Sequence, residues 1–122
     1  MVEVISDTSF LIHLATHRIT NISDLETEIG NLSFVVPEIV KKELEHLAED
    51  PDKNMVALQT LDFIKDFKTN SIIGKTADLG ILDFVEKNGG MVATMDRELK
   101  SKIKDVGGSV LSIHNDKIVL EN

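Results

Sequence analysis

The chain contains no cysteine, tryptophan or tyrosine and only two prolines. No apolar run approaches the length that a membrane-spanning helix needs. Without Cys, disulfide frameworks, Cys-based zinc sites, iron-sulfur ligation and thiol catalysis are excluded. Nothing points to an oxidising compartment, and a cytoplasmic location is the default expectation. Five phenylalanines are the whole aromatic complement, so sequence-specific reading of single strands on an aromatic platform is not expected. Positive charge is also scarce, with 13 Lys and Arg against 21 Asp and Glu and a net charge of −8. Indiscriminate binding to polyanions is therefore disfavoured, because Lys and Arg that release counterions supply most of that affinity. Any role on nucleic acid must rest on local cations, bound metal included. The apolar stretch from Met1 to Leu14 is interrupted by Asp7 and lacks a basic leading segment, so it reads as structure, not as a signal peptide.

What is present suits one domain over residues 1–122. Val2, Val4 and Ile5 predict a short strand that ends at Ser6-Asp7, followed by a helix from Phe10 to Ala15 with Ser9 as its cap. Residues 21–29 suggest a short amphipathic helix closed by Gly30-Asn31. Leu32 to Val36 is a second strand ended by Pro37, and apolar positions recur at helical spacing from Ile39 to Leu47. A third helix is expected from Asn54 to Phe67, with apolar residues on more of its circumference than one core face requires. Part of that surface is expected to meet another layer or another subunit, which makes a homodimer one expectation. Ser71-Ile72-Ile73 predicts a third strand, Ala77 to Lys87 a helix, Met91 to Met95 a fourth strand, and Arg97 to Val106 a helix closed by Gly107-Gly108. Val110 to Ile113 is a fifth strand, with Lys117 to Leu120 as a terminal edge strand. This alternation indicates a mainly parallel sheet with helices on both faces, whose strand carboxyl ends form the ligand-binding edge.

Four acids stand out. Asp7 and Asp96 sit at the carboxyl ends of predicted strands, where capping alone is a sufficient reason for Asp. Glu43 shares a helical stripe with Ile39, Val40 and Leu47, and Asp78 shares one with Ile81, Leu82 and Val85. A carboxylate on a core-facing stripe costs several kcal/mol unless it is paired or bound to metal. His13 and Lys75 are the nearest candidate partners, and a helix cap is a second structural reading for Asp78. Topology allows all four acids to meet at one edge, where mutual repulsion is relieved by divalent ions. Oxygen donors alone suit Mg²⁺ or Mn²⁺ better than Zn²⁺. On this reading Glu43→Gln raises the stability of the metal-free protein. Arg97, Lys100 and Lys104 share one helical face and could hold phosphates, though a solvated face explains them equally well.

The segment Val4-Ile5-Ser6-Asp7-Thr8-Ser9-Phe10-Leu11 resembles the opening motif of PIN-domain nucleases. The resemblance continues through Val36-Pro37-Glu38-Ile39-Val40-Lys41-Lys42-Glu43-Leu44, Thr76-Ala77-Asp78-Leu79-Gly80-Ile81-Leu82 and Ala93-Thr94-Met95-Asp96-Arg97-Glu98-Leu99. It covers nearly the whole chain in the family's order, and it is closest to archaeal PIN proteins of the VapC-toxin or ribosomal-RNA-processing type. It implies a three-layer α/β/α sandwich with a mainly parallel five-stranded sheet. It also implies a Mg²⁺- or Mn²⁺-dependent endoribonuclease with an RNA substrate and, for a toxin, an antitoxin partner. The implied metal-site and catalytic acids are Asp7, Glu43, Asp78 and Asp96, with Thr94 or Ser9 as a nearby hydroxyl. Leu79 and Met95 stand where some members carry an additional acid and an Asn, leaving Asp83 as a substitute for a second metal site. An inactive PIN-like scaffold stays open, since cleavage depends on distances. A phosphoacceptor receiver needs an adjacent acidic pair and a late strand-end Lys, and neither is present.

Overall fold

The computed structural model describes residues 2–19 and 31–121. The helix expected at 21–29 lies outside the described residues. The elements in chain order are β1 (Val2–Ser6), α1 (Thr8–Thr16), β2 (Leu32–Pro37), α2 (Glu38–Leu47), α3 (Asn54–Phe63) and β3 (Lys68–Asn70). After these come α4 (Ala77–Asn88), β4 (Met91–Ala93), α5 (Arg97–Asp105), β5 (Ser109–His114) and β6 (Lys117–Glu121). The strands form one six-stranded sheet in the order β3-β2-β1-β4-β5-β6. All pairings are parallel except the last, in which β6 runs antiparallel to β5.

That last pairing adds a sixth strand to the five that the family resemblance implies, at the edge where the terminal strand is expected. The β5–β6 turn is Asn115-Asp116, with both residues at positive φ (50° and 61°). Asn and Asp tolerate this conformation better than other side chains, and a two-residue loop of this kind matches the twist of a hairpin.

Helices cover both faces of the sheet. Val4 and Ile5 are neighbours in β1, so they point to opposite faces, and both are buried. The same core takes in Phe10 and Leu11 from α1, Val40 and Leu44 from α2, Ile81 and Val85 from α4, and Leu99 and Ile103 from α5. Helix α3 packs on α1 and α2. It buries only Ala57 and Thr60, and leaves Met55, Val56, Leu58 and Phe63 exposed.

The fourth strand ends at Ala93 instead of Met95, and two other boundaries differ more from expectation. The third strand is Lys68–Asn70, paired with Val35 to Pro37, and not the apolar run 71–73. The Asn70 side-chain oxygen accepts from the Ile72 amide at 3.3 Å and turns the chain out of the sheet. Ile72 still buries its side chain, and its carbonyl accepts from the Ile39 amide at the start of α2. An edge strand needs backbone pairing more than an apolar face, so polar residues serve there. Helix α3 stops at Phe63, after which Lys65 bonds back to Asp62 and Phe67 to Ile64 in tighter turns. No Gly or Pro marks that stop.

The strand order reverses about β1. The chain leaves β1 toward β2 on one side, and β4 later returns on the other. A crevice therefore opens beyond the carboxyl ends of β1 and β4, the position where open α/β sheets bind ligands.

Candidate active site

Asp7 follows β1 directly, and Asp96 follows β4 by three residues. The Asp7 amide donates to the Ala93 carbonyl at 3.0 Å, which ties the two strand ends together. Both acids are helix caps. Asp7 Oδ1 accepts from the Phe10 amide at 2.8 Å, and Asp96 Oδ1 accepts from the amides of Glu98 at 2.9 Å and Leu99 at 3.2 Å. Ser9, the expected cap of α1, instead donates its hydroxyl to Asp7 Oδ1 at 2.9 Å and accepts from the Met95 amide at 3.1 Å. The Thr94 hydroxyl donates to Asp7 Oδ2 and accepts from the Asp96 amide.

Asp7 is thus held from both strand ends, and it is only 3% exposed. Burial pushes its carboxyl up from 3.8 to about 6, against the pull of the donors on Thr94, Phe10 and Ser9. The charge of Asp78 adds to the rise. Capping explains why an aspartate stands at residue 7, but not why it is sealed from water beside other acids.

Glu43 and Asp78 were expected on buried stripes; both are exposed. The stripes do reach the core, through Val40 and Leu44 in α2 and through Ile81 and Val85 in α4. The two acids are turned toward the open crevice and so keep contact with water. Glu43 Oε1 accepts from the Thr8 hydroxyl at 2.9 Å, and its Oε2 accepts from the Ala77 amide at 3.3 Å. Asp78 is not the cap of α4, because Thr76 holds that position by accepting from the Leu79 amide. The carboxyl of Asp78 is raised by partial burial and then by the charges of Asp96 and Glu43, with Lys102 opposing.

Asp7, Glu43, Asp78 and Asp96 line one cleft of about 360 Å³, together with Thr8, Ser9 and Ile12. Among the described residues, no Lys, Arg or His lies within 4 Å of any of the four carboxylates. His13 stacks on His17, with ring centroids 3.9 Å apart, instead of pairing with Glu43. Asp83 is not in the cleft, and it pairs with Lys87 at 3.1 Å.

The expected merger into one ready chelate is not present. Among the described residues, no three His, Asp or Glu side chains are close enough to hold an ion together. The physical reason is visible at each acid. Asp7 is drawn to Ser9, Phe10 and Thr94, Glu43 to Thr8 and Ala77, and Asp96 to its own helix. Like charges with no cation between them gain nothing by approaching more closely. The donor set is still chemically suited to a hard divalent cation, being all carboxylate and hydroxyl oxygen.

Sequence reasoning passed over Thr8 and Ile12, although Thr8 follows Asp7 directly and begins the helix that flanks the cleft.

The fold has counterparts among known proteins. A family model described as a PIN like domain matches residues 4–116. This chain belongs to the PIN-like domain family. Ribonuclease VapC4 of Methanocaldococcus jannaschii is 30% identical over 123 residues, covering 96% of this chain and 94% of its own. The structure of the PIN domain endonuclease Utp24 superposes with a TM-score of 0.74 at 28% identity, covering 98% of this chain and 90% of that one. A domain of a functionally unknown protein from M. jannaschii shares the PIN-like fold alone, with a TM-score of 0.65 at 16% identity over 93% of this chain and 92% of that one.

Proposed function

We propose that this PIN-like protein, a single domain over residues 1–122, is a Mg²⁺- or Mn²⁺-dependent endoribonuclease. Its catalytic and metal-site acids on this reading are Asp7, Glu43, Asp78 and Asp96. The observation that carries the proposal is a cleft at the topological switch point lined by four carboxylates, none of which has a Lys, Arg or His within 4 Å among the described residues. The PIN relatives named as a ribonuclease and an endonuclease support the reaction class.

Each residue has a distinct part. Asp7, clamped by three donors, is the pre-positioned ligand, and Ser9 and Thr94 fix its orientation. Asp96 uses Oδ1 as a cap, and its other oxygen serves the cleft. The Asp78 carboxylate makes no hydrogen bond among the described residues and would be able to turn toward an ion. Glu43 would give up its bond to Thr8 at little cost to hold a divalent ion, because both side chains touch water. When bound, the divalent ion supplies the positive charge and Lewis acidity that the cleft lacks toward a phosphodiester. Without that charge the four acids repel a phosphate, so turnover requires the metal. No side-chain nucleophile is needed for hydrolysis.

The deciding experiment is titration of the full chain with Mn²⁺ or Mg²⁺ in the presence of RNA, comparing wild type with Asp7→Asn. Metal-dependent turnover by the wild type and its loss in the variant support the assignment. Equal turnover by both removes the nuclease from this cleft. A toxin role calls for an antitoxin that covers the cleft, whereas a role in ribosomal RNA processing does not. Purification of the native protein with a stoichiometric small partner that blocks turnover separates the two.

A further inference from the structure

The charges of α5 are sorted by face. Lys102 pairs with Glu98 one turn away, at 3.1 Å, which leaves that side balanced. Arg97, Lys100 and Lys104 fall three and four residues apart and share another side. They line a groove of about 600 Å³ together with Ser101, His114 and Glu121. The same helix buries Leu99 and Ile103, so the groove's floor is fixed to the core.

One carboxylate serves two of these cations. Glu121 bonds Lys100 at 2.8 Å and Lys104 at 3.4 Å, and it accepts from the Ser112 hydroxyl. Lys100 is held with its side chain only 16% exposed. The Arg97 guanidinium has neither a hydrogen bond nor an ion pair among the described residues. Three cations against one anion leave a local positive excess in a protein whose net charge is −8. A strut between β6 and α5 would need a single lysine, and it would account for neither the unpaired guanidinium nor the open groove.

The groove and the acidic cleft are lined by consecutive residues at the start of α5. Asp96 lines the cleft and Arg97, the next residue, lines the groove. A strand whose phosphodiester is presented to the acids has the first turn of α5 beside it as a path for its flanking backbone. We infer that Arg97, Lys100 and Lys104 form a subsite for the RNA backbone beside the scissile phosphate, and that Glu121 positions the two lysines while limiting the groove's affinity. This inference rests on the ribonuclease reading for its choice of ligand.

The test is the anisotropy of a fluorescein-labelled short single-stranded RNA with the full chain in EDTA, over a range of salt. Arg97→Gln with Lys104→Gln, both on exposed side chains, is expected to weaken binding about tenfold. It should also reduce the slope of log affinity against log salt by roughly 1.4, for two lost phosphate contacts. Glu121→Gln, which keeps a hydrogen-bond acceptor for both lysines, is expected to tighten binding several-fold. Affinity and salt slope unchanged in the double variant, or no tightening in Glu121→Gln, overturn the subsite. Cleavage is scored separately with Mn²⁺ on the wild type. A protein that binds RNA through the groove but does not cut it fails the nuclease reading and leaves the subsite standing.

Discussion

Asp7 carries the clearest physical consequence of any residue. Its folded-state carboxyl sits at about 6 against 3.8 unfolded, so between those values the folded chain holds a proton that the unfolded chain has released. Stability therefore falls as pH rises through this window, by up to about 3 kcal/mol, and then stays level. The rise at Asp78 acts in the same direction. Asp7→Asn removes the titration at the buried site. Denaturant unfolding at pH 4.5 and pH 7 without metal should give a clear loss for the wild type and a much smaller one for the variant. Parallel curves for the two proteins would mean that Asp7 is not the group responsible. Glu43 behaves differently because it is exposed and only hydrogen-bonded. The rise in stability expected of Glu43→Gln rested on a carboxylate both placed on a core-facing stripe and repelled by three other acids at close range. In the observed site, relief of repulsion with Asp78 is offset by weaker acceptance from Thr8 and Ala77. The change in unfolding free energy of the metal-free protein should stay within about 0.5 kcal/mol, typical of a surface substitution. Calorimetric titration should meanwhile show weaker Mn²⁺ binding.

At the scale of elements, the placement of the helical acids depends on a close approach of backbone to backbone. A Cβ added to Gly80 in α4 would lie 2.8 Å from the Ile73 carbonyl oxygen and 3.3 Å from Ile72 Cγ2. Ile72 in turn receives the first amide bond from α2, so the loop at 71–76 locks the helix of Glu43 to the helix of Asp78. Gly80→Ala gains about 1 kcal/mol in helix propensity but must displace this loop, at a typical cost of 1 to 3 kcal/mol for overpacking. A net fall in melting temperature with a larger proportional fall in turnover is expected. Unchanged melting would show that the loop gives way freely. The same region shows what could be read from sequence. The alternation of apolar strands and helices, the parallel sheet and the shared edge of Asp7 and Asp96 all follow from patterns that the core imposes. Residues 68–70 escaped notice because Lys68-Thr69-Asn70 carries no apolar signature, unlike the other edge strand β6, and the end of α3 because the chain turns at Ile64 without a breaker. Strand ends, helical spacing and the family motifs together singled out Asp7, Glu43, Asp78 and Asp96, and the topology allowed them one shared edge. Their hydrogen bonds could not be read this way, because Thr8, Ser9, Thr94 and the Ala77 amide pull each carboxylate its own way on a scale finer than any spacing rule. Glu121 was equally hidden, since its link to Lys100 depends on β6 folding back along β5.

The whole molecule is an anion with a concentrated deficit of positive charge at the switch point of its sheet. General screening by salt acts on its exposed charges at a distance, whereas a divalent ion bound in the cleft acts on four carboxylates at once. The two effects can be separated by melting the protein in Mg²⁺ or Mn²⁺ and in NaCl at matched ionic strength. A specific site stabilises by RT ln(1 + [L]/Kd), about 2.7 kcal/mol at a hundredfold excess over Kd, so the divalent salts should raise the melting temperature by several degrees beyond NaCl. Asp96→Asn should remove most of that excess while keeping an acceptor for the cap of α5. Protons and metal compete for Asp7, so the excess should shrink as pH falls through about 6 and return when pH is restored. Divalent and monovalent salts that superpose at equal ionic strength, at every pH, would leave the cleft with only diffuse electrostatics and withdraw the metal from the proposed mechanism.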